Sequence, residues 1–88
     1  MTSGSNELDN RIIAIFQQVF QASPEALTDS ARRGELPRWD SLGHLELIAS
    51  LEREFQIEVP ADDALTMDTV GDVKQKVARL CQGKSPAA

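Results

Sequence analysis

Between Ser41 and Phe55 the apolar residues Leu47, Ile48, Leu51 and Phe55 recur at helical spacing, and Pro60 keeps the later residues from joining the same helix. This commits the middle of the chain to one amphipathic helix and requires partners for its apolar stripe. Ile12, Ile13, Phe16, Val19 and Phe20 supply one at the same spacing, predicting a first helix over about residues 6–21. Val70, Val73, Val77 and Leu80 supply another, in a last helix that Asp68 or Thr69 can cap. A short helical turn is expected over residues 62–66, with Ala64 and Leu65 as its apolar contacts. Gln56-Ile57-Glu58-Val59 alternates, but it is too short to form a sheet alone. Residues 22–40 are broken by Pro24, Gly34 and Pro37 and read as a long loop anchored by Leu27 and Leu36. The expected fold is all-α, a small four-helix bundle of three longer helices and one short one, with the long loop between the first and second helices.

A chain of 88 residues suits one domain, and at 41% hydrophobic content it supports a modest core that buries roughly 60% of the unfolded surface. The expected organisation is a single domain over 1–88, ordered over about residues 6–81 and flexible over 82–88. A catalytic cleft in so small a bundle would consume much of its core. The 14 Asp and Glu against 9 Lys and Arg give a net charge of −5, which argues against nucleic acid, whose phosphates need a basic stripe. The same charge favours partners with basic docking patches. Cys81 is the sole cysteine, so no intramolecular disulfide can form. The first ten residues lack the apolar core of a signal peptide, and no run is long enough to span a membrane. The cytoplasm is therefore the expected compartment. One histidine and one cysteine show no metal-ligand spacing, and no Gly-rich phosphate loop is present.

Asp40-Ser41-Leu42 places a hydroxyl at the mouth of the central helix. Ser and Asp both favour helix N-caps, and on a capping reading replacing Ser41 with alanine costs about 1 kcal/mol. The surrounding string is more specific: Trp39-Asp40-Ser41-Leu42-Gly43-His44-Leu45-Glu46-Leu47, then Leu51-Glu52-Arg53-Glu54-Phe55 and Ile57-Glu58-Val59-Pro60. From about residue 12 to residue 80 the chain resembles the acyl and peptidyl carrier proteins, the phosphopantetheine-binding carriers. The resemblance implies a carrier-protein bundle in which Ser41 bears a covalent 4′-phosphopantetheine arm derived from coenzyme A, making it a phosphoprotein. It implies that Asp40 and Leu42 belong to the attachment motif, with Asp40 read by a phosphopantetheinyl transferase. The implied function is to hold acyl or aminoacyl groups as thioesters for a loading ligase and a downstream transferase or synthase, without catalysis by the carrier. A monomer is expected.

Gly43 is about 1 kcal/mol worse than alanine in a helix, which points to close approach of another backbone or of the arm. Gly43-His44 departs from many fatty-acid carriers and looks more like stand-alone carriers and synthetase carrier domains of specialised metabolism, whether polyketide or nonribosomal peptide. A fatty-acid or lipid carrier is the alternative. His44 lies three residues from Ser41, close enough to raise a hydrolytic dyad, yet no acidic residue is evident to orient it; lining the core entrance or touching the arm is the expected role. Leu45 and Ala49 flank the apolar stripe, and the resemblance makes them docking positions, with Glu46, Glu52 and Glu54 adding charge. Trp39 is expected to pack across the loop onto the helix start. Arg32, Arg33 and Arg38 read as a solvated basic loop. A reading from another class remains open: a helical protein-interaction module that is never modified, with Ser41 as its cap.

Overall fold

A computed structural model describes residues 3–83. Four α-helices form in chain order: α1 (Ser3–Phe20), α2 (Ser41–Phe55), α3 (Ala61–Leu65) and α4 (Val70–Gly83), with a 3₁₀ turn at Pro24–Ala26 in the long loop. No strand forms among the described residues, where Arg32 and Thr69 make an isolated antiparallel bridge. The all-α four-helix architecture therefore stands, with α1 beginning earlier than its apolar pattern. Gln82 and Gly83 belong to α4, and the rest of the expected flexible tail lies outside the described residues.

The ends of the longer helices have identifiable causes. α1 and α2 both stop at a glutamine in the left-handed region, Gln21 at φ 55° and Gln56 at φ 54°. After α2 the N–H groups of Gln56 and Ile57 both reach the Glu52 carbonyl, closing the last turn. α4 begins on a reciprocal cap: Thr69 Oγ1 accepts from the Asp72 N–H at 3.0 Å, while Asp72 Oδ2 accepts from the N–H groups of Thr69 and Asp68 at 3.2 and 3.1 Å. Thr69 is thus the cap, of the two candidates.

α1 packs against α2 and α4. Ile12, Ile15, Phe16 and Phe20 face Leu47, Leu51 and Phe55 of α2 and Val70, Val73 and Val77 of α4 in one apolar core. Ile13, Val19, Ile48 and Leu80 sit half-buried at its margin. Leu27 and Leu36 anchor the loop as expected, at 5% and 7% exposure. Leu65 departs from expectation: it is 69% exposed. A helix of five residues makes little more than one turn, and its inward side is taken by half-buried Asp63 and Ala64.

The long loop is stitched to the α3–α4 junction rather than solvated along its length. Gly71 N–H donates to the Asp29 carbonyl at 2.9 Å, Val70 N–H to Ala31 at 3.0 Å, and Arg33 N–H to Asp68 at 2.7 Å. Arg33–Asp68 and Lys74–Asp29 ion pairs at 3.0 and 2.8 Å accompany these bonds. Gly34, at φ 98°, supplies the left-handed turn that lets its N–H reach the Trp39 carbonyl at 3.0 Å.

Gly43 marks the closest approach of loop and helix. A Cβ there would overlap the Arg38 carbonyl oxygen and crowd Phe20 Cε1 at 2.9 Å. Replacing Gly43 with alanine should therefore lower stability by about 1–3 kcal/mol, outweighing alanine's helix propensity. Urea unfolding midpoints of the two proteins measure this; an equal or higher midpoint for the alanine variant would contradict the packing.

Candidate functional site at the start of the second helix

Asp40, not Ser41, caps α2. Its backbone is extended at φ −111°, and its Oδ1 accepts from the Gly43 N–H at 2.9 Å. Ser41 is the first residue inside the helix, exposed to solvent, and its hydroxyl makes no hydrogen bond among the described residues. This corrects the capping reading of Ser41. A group attached to Ser41 Oγ meets the first, unpaired N–H groups of α2 and the positive end of its dipole, so a phosphodiester is electrostatically at home there.

Behind this serine stands a buried relay. Trp39 is fully buried, in edge contact with Phe16 at 5.1 Å and stacked on Phe20 at 5.7 Å between ring centres. Its indole Nε1–H donates to His44 Nδ1 at 2.9 Å. With Nδ1 accepting, the neutral imidazole carries its proton on Nε2 and donates it to the Ala64 carbonyl at 2.7 Å. One chain of polar contacts thus joins the loop end, α2 and α3. Burial pushes the His44 imidazole below its ordinary range, partly offset by the Ala64 bond. Both ring nitrogens are committed, so no lone pair is left to take a proton from Ser41, and the hydrolytic dyad has no base.

Two clefts open near the start of α2, one of them lined by Ser41 itself. One, of about 470 Å³, is lined by Arg33, Ser41, His44, Leu45 and Leu65. The other, of about 230 Å³, is lined by residues including Arg38, Asp40, Leu42 and Glu46. Leu42 and Leu45, at 67% and 66% exposure, form an apolar rim with Leu65, and Glu46 and Ala49 are exposed beside them. Glu52 is engaged elsewhere: half-buried, its Oε2 accepts from the Val59 N–H at 2.9 Å. Glu54 is likewise paired, with Arg11 at 2.8 Å. Cys81 lines a separate cavity with Leu8, Arg11 and Phe55. No metal-binding group of His, Cys, Asp and Glu occurs among the described residues.

The start of α2 thus presents an exposed serine beside a capped first turn, backed by the apolar core. Residues 10–77 match the family model described as "Phosphopantetheine attachment site". The chain belongs to the family of phosphopantetheine-binding carriers. The cofactor of such a carrier is 4′-phosphopantetheine, held covalently. Relatives of this carrier include the acyl carrier protein of Caulobacter vibrioides, 36% identical over 67 residues covering 76% of this chain and 86% of the relative. The acyl carrier protein of Thermosynechococcus vestitus is 35% identical over 68 residues, covering 77% and 84% respectively. Among the described residues, no helix of the carrier is long and apolar enough to cross a membrane.

Arg33 and Leu65 line the site although the sequence pattern places neither of them there. A loop arginine has no periodicity to betray its neighbours, and the apolar signal of Leu65 points inward.

Because Asp40 is the cap, Asp40→Ala should cost about 1 kcal/mol, whereas Ser41→Ala should stay within about 0.5 kcal/mol of wild type. Denaturant titrations of both variants check this, and a reversed order would contradict the assignment of the cap. His44 adds a pH dependence. The unfolded chain takes up a proton near the ordinary histidine value of 6.5, and the folded one only at lower pH. Its contribution to stability is therefore complete above about pH 6.5 and declines as the pH falls towards the folded value. The wild-type advantage over His44→Asn in urea midpoint should shrink between about pH 7.5 and about pH 5.5; an unchanged or growing advantage would contradict a buried neutral imidazole.

Proposed function

We propose that Ser41 is the attachment residue and that the protein is a non-catalytic carrier. A separate phosphopantetheinyl transferase, reading Asp40 and Leu42, would move the phosphopantetheine half of coenzyme A to Ser41 Oγ: the new P–O bond forms as the pyrophosphate link breaks, 3′,5′-ADP leaves and the hydroxyl proton is lost. The arm's terminal thiol supplies the thioester on which cargo is held. The observation that carries this reading is the Ser41 hydroxyl itself, exposed and without a hydrogen bond at the first position of α2, while the neighbouring Asp40 does the capping. A serine free of structural duty can accept a large substituent without unfolding its helix. The alternative, an unmodified interaction module with Ser41 merely as its cap, loses that role for Ser41 to Asp40, and the match to the attachment-site family favours the carrier.

Leu42, Leu45, Glu46 and Ala49 form the docking face of this reading, an apolar rim carrying negative charge beside the modified residue. Glu52 would contribute through its charge more than through direct contact. The partners are the transferase, an acyl- or aminoacyl-loading ligase and a downstream transferase or synthase. A cytoplasmic monomer fits the lone Cys81 and the acidic composition. Names of the relatives favour acyl cargo. Gly43-His44 favours specialised biosynthesis, polyketide, nonribosomal peptide or related, over fatty-acid or lipid synthesis.

Incubation with coenzyme A, magnesium and a broad-specificity phosphopantetheinyl transferase should add one arm to wild type and none to Ser41→Ala, as read by intact-protein mass. Addition to the alanine variant, or none to folded wild type with several transferases, would overturn the assignment.

A further inference from the structure

We infer that Arg33 is the counter-ion of the phosphodiester on Ser41 and draws the base of the arm into the Leu45–Leu65 cleft. The inference rests on Ser41 carrying the arm. Arg33 and Ser41 line the same cleft, with His44, Leu45 and Leu65 completing the wall, and no carboxylate lines it. A neighbouring cleft, lined by Asp40 and Leu42 but not by Ser41, also offers an arginine, Arg38, and sets the Asp40 and Glu46 carboxylates beside it. A singly charged phosphodiester on Ser41 meets, on one side, a cation whose single carboxylate partner, Asp68, lies outside the cleft lining, and on the other a cation with two carboxylates in the lining itself. The Arg33 side is favoured.

Arg33 is also the better prepared of the two. Its backbone N–H is held by the Asp68 carbonyl at 2.7 Å, and its Nη2 by Asp68 Oδ1 at 3.0 Å. Asp68 is in turn fixed through its own N–H by Asp72. The Arg33 side chain is 30% exposed, whereas Arg38 is an exposed residue. A guanidinium has five N–H donors, and the bond to Asp68 uses one of them. The others remain available to phosphate oxygens, to which the planar fork is well matched. Asp68 lies 55% exposed, so solvent screens much of its charge and it neutralises Arg33 only in part. In a protein of net charge −5, a half-buried cation opening on the modified serine would set the direction in which the arm leaves the surface. The carboxylate that pairs with the group is Asp68; Glu35, two residues along the loop, has its Oε1 occupied by the Arg32 N–H at 3.2 Å.

The test is phosphorus-31 NMR of the arm-bearing protein, comparing wild type with Arg33→Gln and Arg38→Gln. The phosphodiester resonance of Arg33→Gln should move towards that of free phosphopantetheine esters and lose its dependence on salt, while Arg38→Gln should superimpose on wild type. A wild-type measurement needs no variant to fold: on modification, the Arg33 Nε–Hε resonance should shift and that of Arg38 should not. A phosphorus resonance indifferent to Arg33, or an unmoved Arg33 side-chain signal, would overturn the counter-ion role alone. A protein that acquires no arm, and so has no phosphorus resonance, would overturn the carrier assignment together with it.

Discussion

The Trp39–His44–Ala64 relay is the contact on which the rest of the arrangement depends. Its two hydrogen bonds, at 2.9 and 2.7 Å, tie together the loop end, the first turn of α2 and the C-terminal end of α3. Trp39 is pinned from behind by Phe16 and Phe20 of α1, so the relay transmits the position of the core to the residues on either side of Ser41. Breaking either bond strands a buried polar group, at a cost of about 1–3 kcal/mol. His44, three residues from Ser41, is therefore a structural bridge, and its neutrality is part of that role.

A carrier must show one residue to several enzymes without consuming a pocket to do so. Here the fold meets that demand by separating duties among consecutive residues. Trp39 is buried, Asp40 caps, Ser41 and Leu42 are exposed, and Gly43 lets the Arg38 backbone pass. The helix start is held tightly while its outer surface stays free. On the proposed attachment at Ser41, a tether there would keep the activated group at high local concentration for partners docking nearby.

Much of this is legible in the chain because apolar periodicity and capping chemistry are local. The limits of α2 derive from neighbours in sequence, and the apolar Leu27 and Leu36 and the helix-disfavoured Gly43 stand out against theirs, although what they touch is distant. The features that are not legible depend on contacts between distant segments. Leu65 reads as a core residue until the brevity of α3 turns it outward. Ser41 and Asp40 are equally good caps by composition, and only the bond from Gly43 to Asp40 separates them. His44 finds Ala64, and Arg33 finds Asp68, across 20 and 35 residues that carry no signal of either pairing. The two glutamines that end α1 and α2 occupy left-handed positions where glycine is the usual marker.

The most direct test is to locate the arm on protein isolated from cells that express a phosphopantetheinyl transferase, by mass spectrometry of the tryptic fragment spanning residues 39–53. That fragment has two hydroxyl side chains, Ser41 at the exposed start of α2 and the half-buried Ser50. An arm on Ser41 is the predicted result. An arm on Ser50, or on a fragment elsewhere in the chain, would contradict the placement of function at the start of the second helix.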